Sequence, residues 1–401
     1  MTINNEHKKL NVPNLRFPEF LGEWEKQKLC DVSSIVGRIG FRGYTTNDIV
    51  EKGKGAIALS PTNIVNNQLT YDKENTYISM SKYEESPEIM IKRGDVIFVK
   101  TGSTVGKVAY VDKMICKTTL NPQVVVLKDI KCDNYILSVI MSTRNFQNKI
   151  QRITVGGAVP TLSQVAMGNI FISLPAAKEQ EKISKFISLL DERITTQNKI
   201  IEDLKKLKCA IIEKLYAEVK GTKYFYRQLF NIINERNKQL EYSNVLSASQ
   251  EKGMVSRDDL NLDIQFERSN INTYKIVRNG DYVIHLRSFQ GGFAFSEKTG
   301  VCSPAYTILR PNGLLVYGYL SNYFTSRDFV KSLIIVTYGI RDGRSINVDE
   351  WLNMKVIIPS KEQQTHIVNV IESIENKIKN EETYSNCLLN QKQYLLRQMF
   401  I

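Results

Sequence analysis

Two stretches of the chain carry the same alternation of apolar and polar positions. From Pro175 to about Lys220, apolar residues recur in steps of three and four at Ile183, Ile187, Leu190, Ile194, Ile201, Leu204, Ile211 and Leu215. From Pro359 to Ile401 they recur at Ile367, Ile371, Ile374, Ile378, Leu388, Leu395 and Met399. This rhythm is the seam of a coiled coil. A shift of 184 residues (359 − 175) lays one stretch on the other without a gap, with Gln180 over Gln364 and Lys208 over Lys392, so both seams are broken by a lysine at the same step. Each proline stands just upstream, where it suits a helix start. Helices of about 40 residues would span about 60 Å at 1.5 Å per residue. Two matched seams imply helices that pair with each other, in antiparallel orientation.

The repetition extends beyond the helices. Trp24 and Tyr224 each stand five residues before a leucine, Leu29 and Leu229. KRGDVIFVKTGSTVGKVAYV (92–111) matches VRNGDYVIHLRSFQGGFAFS (277–296), each a turn, a β-rich run, a Gly-containing loop and a second strand. A further strand (124–128 against 306–310) precedes a helical stretch (134–150 against 317–333) and a loop (152–163 against 336–347). A last strand (169–175 against 354–359) leads into each long helix. The expected organisation is a globular unit at 1–174, a helix at 175–220, a second globular unit at 221–358 and a helix at 359–401. The fold class is α+β or mixed α/β, with compact mixed sheets and an internal pseudo-two-fold. Short strands and irregular loops argue against a doubly wound parallel sheet. Gly221 is expected to stop the first helix.

Charge narrows the partners. Lysine and arginine exceed aspartate and glutamate by 54 to 42, a net +12, which favours a polyanion, nucleic acid first. The six cysteines show no close pairs or metal-ligand spacing, and Cys209 and Cys387 fall inside the helices. His7, His285 and His366 are scattered. The N-terminus is polar and no apolar run reaches spanning length, so the expectation is a cytoplasmic protein without a membrane.

Catalytic motifs are sparse. TGSTVGKV (101–108) resembles a phosphate loop, but only three residues separate Gly102 from Gly106 and valine follows the lysine, so a strand-to-strand turn is the better reading. Asn121-Pro122-Gln123 and Ser303-Pro304-Ala305 stand at one point of both repeats and read as a shared turn rather than a methyltransferase signature. Asp95 and Asp281 follow turn glycines and are expected to fix those turns. What the loops offer is hydrogen-bond donors. Arg38, Arg42 and Tyr44, then Lys100, Thr101, Ser103, Lys107 and Arg152, are the candidates in the first half. Arg287, Ser288, Gln290, Tyr338, Arg341, Arg344 and Ser345 are those in the second. Arginine and glutamine can read base edges bidentately, while lysines and backbone amides hold phosphates.

PNLRFPEF at 13–20, Gly22-Glu23-Trp24, Pro175 with Glu179-Gln180 and Ile183, and the closing LLRQMF (395–400) resemble the specificity subunit of type I restriction–modification systems across essentially the whole chain. Gln363 departs from the first copy, where Glu179 stands. The resemblance implies two target recognition domains, each reading one half of a bipartite, asymmetric double-stranded DNA site. Helices would space the two half-sites and dock two methyltransferase subunits, with restriction (translocase) subunits joining them. It implies no cofactor on this chain: S-adenosylmethionine belongs to the methyltransferase partner, ATP and Mg to the restriction partner. The competing readings are a methyltransferase-like enzyme with degenerate motifs and a coiled-coil adaptor.

Overall fold

The computed structural model describes residues 10–71, 74–249, 252–257, 268–285, 292–338 and 345–401. It divides into two compact units, Met1–Thr196 with Ser385–Ile401, and Gln197–Tyr384. The division runs through both long helices, Ala177–Ala217 and Lys361–Met399, so each unit holds part of each.

In the first unit, a six-stranded sheet runs Ser34–Gly37, Val124–Lys128, Val96–Val99, Val108–Tyr110, Gln68–Leu69, Ile64–Val65. Its first four strands are antiparallel neighbours. The runs VIFV and VVVL are apolar throughout because the sheet is covered on both faces. Val96, Phe98, Val125 and Leu127 pack with the helix Asn134–Ser142 in one core, while Ile97, Val99, Val124 and Val126 fill another. The helical stretch 134–150 is two helices, broken where Thr143 caps the second by accepting from the Phe146 amide.

The second unit repeats the central order with Phe230–Ile233, Thr307–Pro311, Tyr282–Ile284 and Phe293–Phe295, all antiparallel. Tyr282 and Ile284 face one core and Val283 the other. Ser326 caps Arg327–Ser332 as Thr143 does in the first unit. The aspartates behave as expected of turn fixers: Asp95 accepts from the Lys92 amide at 2.8 Å and Asp281 from the Arg278 amide at 2.9 Å. Asp281 also takes a two-point ion pair from Arg310, with both contacts at 2.9 Å.

Two sequence readings need correction. Glu25–Lys28 pairs with Phe171–Leu174, and Thr222–Phe225 pairs with Lys355–Ile358. The Leu29 amide bonds the Ile170 carbonyl where the Tyr226 amide bonds that of Met354, so Leu29 corresponds to Tyr226 and Trp24 to Gly221, three residues from the expected match. Gly221 does not adopt the left-handed conformation of a helix stop. Its requirement is proximity, since a Cβ there would lie 2.2 Å from the Ile358 carbonyl oxygen.

The helices pair antiparallel within each unit. In the first, Ile183 and Ile187 share a core with Leu395, Leu396, Met399 and Phe400. In the second, Ile212 and Leu215 pack with Ile367 and Ile371. Ile212, rather than the expected Ile211, is the buried residue at that step. Ile194, Ile201, Ile378 and Leu388 are buried along the seam, while Leu190, Leu204, Ile374 and Leu395 are half-buried.

The seam lysines have a partner each. Lys392 pairs with Asp191 in the first unit. Lys208 pairs with Glu375 at 2.5 Å in the second. Both members of the pair obey the repeat, since 392 − 208 and 375 − 191 are each 184. A lysine in an apolar seam favours the register that supplies its acid. Gln180 and Gln364 lock the helix starts in the same manner. Gln180 donates to the Pro175 carbonyl and accepts from the Asp133 amide, both at 2.8 Å. Gln364 donates to the Pro359 carbonyl at 3.1 Å and accepts from the Val316 amide at 2.8 Å.

Candidate nucleic-acid interface

In the first unit, backbone bonds draw three loops together. The Lys100 amide bonds the Gln123 carbonyl at 2.9 Å, the Gly102 amide the Pro160 carbonyl at 2.9 Å, and the Leu162 amide the Lys100 carbonyl at 2.8 Å. Thr101 bridges to Thr161, and Val155 exchanges both bonds with Thr161 to close a small hairpin. Loop 100–107 is the strand-to-strand turn expected, with Gly102 and Gly106 at φ +104° and +99°. Gln147 donates to the Gly106 carbonyl at 2.8 Å and to that of Met141 at 2.7 Å, pinning the far end of the loop to a helix.

This cluster brings together Lys100, Thr101 and Ser103 from the first loop, Gln123 from the second, and Val155, Val159 and Thr161 from the third. Ser103, Lys107 and Arg152 are exposed; Lys100 and Thr101 are half-buried. Lys107 also reaches the Ile64 carbonyl at 3.4 Å. Residues 121–123 form a turn, the Gln123 amide donating to the Asn121 side chain at 2.9 Å, and Ser303 with Ala305 and Tyr306 does likewise in the second unit. That is the shared turn read from the sequence. Gln123 and the apolar tip of the 155–161 hairpin were missed as contact candidates. Their signal was a proline-containing turn recurring in both halves and a Gly-Gly pair beside Arg152.

Arg38 must be moved out of the contacting set. It is buried, donating to the Leu120 carbonyl at 2.8 Å, the Arg42 carbonyl at 3.1 Å and Thr119 Oγ1 at 3.1 Å. Burial lowers its pKa, and its guanidinium lies 5.4 Å from the Tyr44 ring centre. It therefore holds loop 39–45 against Thr118–Leu120. Arg42 and Tyr44 are half-buried in the same loop, Arg42 donating to the Glu85 carbonyl at 3.2 Å.

In the second unit, Arg287, Ser288, Gln290, Arg341 and Arg344 lie outside the described residues. Their flanks are described: the His285 amide bonds the Gly292 carbonyl at 2.8 Å, and Tyr338 pairs with Ser345 in a two-stranded ladder. At the base of the first flank, burial pushes the His285 imidazole pKa down, and Lys275 donates to the Tyr306 carbonyl at 2.8 Å. Burial also pushes the Cys302 thiol up to about 12. Among the described residues no group of three or more His, Cys, Asp or Glu could hold a metal, and no helix is long and apolar enough to cross a membrane.

Two copies of one α/β plan, each with antiparallel helix segments bound into it, define a duplicated scaffold. Residues 22–206 match the family described as type I restriction modification DNA specificity domain. The chain is 29% identical over 131 residues to the type I restriction enzyme MjaVIII specificity subunit of Methanocaldococcus jannaschii, covering 33% of this chain and 30% of that protein. It is 24% identical over 219 residues to the putative MjaX specificity subunit of the same organism, covering 53% and 50%. The chain thus spans half or less of the length of these curated relatives.

Among solved structures, the fold is similar to a type I restriction–modification S subunit from M. genitalium, with TM-score 0.54, 14% identity and 97% and 99% of the two chains covered. A chain from a study of type I R-M complex assembly and conformational transition gives TM-score 0.57, 15% identity and 94% and 97% coverage. At such identities the likeness concerns the fold. The resemblance to type I specificity subunits read from the motifs is borne out.

Proposed function

We propose that this chain is the DNA sequence-recognition subunit of a type I restriction–modification complex and performs no chemistry itself. The observation that carries the reading is the convergence of loops 100–107, 121–123 and 154–162 within the stretch that matches the specificity-domain family. Each globular unit reads one half of a bipartite, asymmetric duplex. Lysines and backbone amides neutralise phosphates while side chains such as Gln123 and Ser103 reach base edges. The long helices fix the spacing of the half-sites and dock two modification subunits, which bind S-adenosylmethionine. Restriction subunits using ATP and Mg complete the assembly.

Mapping methylated adenines genome-wide in cells with and without this chain tests the reading. The expected result is loss of one bipartite, non-palindromic methylated motif; an unchanged methylation map would refute it. In the purified complex, Arg341→Ala or Arg344→Ala is expected to weaken binding by about 1–3 kcal/mol if either reads a base. Scrambling the second half-site should then erase the difference between variant and parent. Equal loss on scrambled and intact sites makes these arginines phosphate contacts. Inserting one heptad into the first helix alone is expected to break targeting, and survival with an unchanged spacer would remove the helices from the spacing role.

A further inference from the structure

In the first unit Thr161 has a strand neighbour on each side. It exchanges both backbone bonds with Val155, while the bonds from Gly102 to Pro160 and from Leu162 to Lys100 flank its bridge to Thr101. Residues directly opposite in an antiparallel ladder project from the same face. Thr101, Thr161 and Val155 therefore stand abreast on one face of a short three-stranded ribbon. Gln123 borders it: its carbonyl accepts from the Lys100 and Thr101 amides at 2.9 and 3.3 Å, and a Cβ on Gly102 would lie 3.3 Å from its Nε2.

The valine in this row is open to solvent. Val155 is 73% exposed, and Val159 at the tip of the hairpin is 59% exposed. The two loops that build the ribbon, 100–107 and 152–163, carry Lys100, Lys107 and Arg152 and no aspartate or glutamate. Exposed methyl groups rimmed by cations and hydroxyls suit a polyanion that also presents an apolar group. Duplex DNA is such a partner. Its major groove admits a β-ribbon, and the one apolar group on the base edges there is the C5-methyl of thymine.

The same ladder recurs in the second unit, where Tyr338 pairs with Ser345. Tyr338 stands twelve residues after the cap Ser326, as Val155 does after Thr143. Ser345 stands two residues before the cap Asn347, as Thr161 does before Ser163. The backbone frame is thus shared and the residues mounted on it are not, which is what two dissimilar readers require.

We propose that Val155 is a specificity-determining residue that packs on the C5-methyl group of one thymine in the half-site read by the first unit. The Thr101 and Thr161 hydroxyls beside it bond the neighbouring polar edges. This assignment rests on DNA recognition by the first unit and adds to it the chemistry of one position.

The test uses the full chain assembled with its modification subunits, and synthetic duplexes carrying the site found by methylation mapping. Each thymine of the first half-site is replaced singly by deoxyuridine, which removes the methyl group and keeps the base pair. One such replacement should weaken binding about fourfold, the worth of one buried methyl. Val155→Ala should weaken binding to the thymine duplex by a similar factor and show no further loss on that deoxyuridine. Val165→Ala, similarly exposed on the helix Gln164–Gly168 but outside the ladder, should keep the full discrimination. No deoxyuridine effect at any position, a half-site without thymine, or discrimination that survives Val155→Ala overturns the proposal. Release of the modification subunits by Val155→Ala would make the valine a protein contact and overturn it as well. A duplex with the first half-site scrambled separates the two possible failures. If scrambling costs nothing, DNA recognition by this unit fails and the proposal with it. If scrambling abolishes binding while every deoxyuridine is neutral, only the role of Val155 fails.

Discussion

The two units share their polar joints and differ in what fills the space between them. Gln180 and Gln364, Asp95 and Asp281, Thr143 and Ser326, and the lysines Lys392 and Lys208 make matching contacts in each copy. The cores do not match. The first packs mainly aliphatic side chains such as Val96, Val108, Leu127 and Ile140, whereas the second gathers Tyr226, Tyr282, Phe293, Phe324, Phe329 and Trp351. Directional hydrogen bonds at turns and helix ends tolerate few alternatives. Apolar interiors accept many solutions of similar volume. A repeat drifting apart in sequence therefore keeps its joints longest.

The largest expected effect tests the cores. Phe324 touches the rings of Tyr226, Phe230, Tyr282, Phe293, Phe329 and Trp351, and corresponds to Met141 in the first unit. Phe324→Ala should cost the second unit about 3–5 kcal/mol and Met141→Ala the first about 2–5 kcal/mol. Trp24 and Trp351, one per unit, allow each transition to be followed by fluorescence in urea once the other is replaced by phenylalanine. Loss confined to the wrong unit would contradict the division.

Next in size is a joint present in only one copy. Arg16 grips the fully buried Glu179 through two contacts at 2.7 Å, whereas Gln363 at the corresponding place is exposed. Arg16→Ala should cost about 3 kcal/mol by stranding a buried carboxylate. Gln363→Ala should stay within about 0.5 kcal/mol in the same urea assay.

The paired aspartates should separate by sign. Asp281→Asn removes the charge that Arg310 pairs with, for about 2 kcal/mol. Burial holds the Asp95 carboxyl above the ordinary carboxylate value, against the lowering effect of the Lys92 amide. An acid raised in the folded state destabilises while ionised, fully so above its folded pKa, and the cost is relieved as pH falls through that value towards the unfolded one. Acidification through this window should thus favour the first unit, and Asp95→Asn should flatten the dependence in denaturant midpoints taken across pH. The smallest effects belong to the seam. Lys392→Ala should cost about 1 kcal/mol and Lys208→Ala about 0.5 kcal/mol, since Glu375 is the more exposed acid. Equal losses would mean that the exposure of the acid does not set the worth of the pair.

Most of the framework was readable in advance because periodicity and repetition act locally: the seam, both glutamines, the turn aspartates and the strand-to-strand loops all came from spacing. Three features did not. The opening strands were misaligned by three residues because Trp24 looks like an aromatic marker, while pairing with Phe171–Leu174 sets the register. Arg38 looked like a loop donor because charge does not reveal direction, and only its bonds to Thr119 and Leu120 show that it points inward. Gly221 looked like a helix stop, but what it satisfies is a close approach by residues far along the chain.

The first unit is built from distant parts of the chain, with Trp24 packed against Phe400 and Leu15 bonded to Gln398. Residues 197–384 are contiguous. The earlier-encoded unit therefore cannot be completed until residues 385–401 have been made. At about 5–20 residues per second, translation of the stretch that intervenes takes about 10–40 s. During that interval the Trp24 side of the nascent protein is an unfinished surface open to chaperones. A released chain truncated after residue 384 should keep the paired strands Thr222–Phe225 and Lys355–Ile358 protected from protease while the segment around Trp24 is cut.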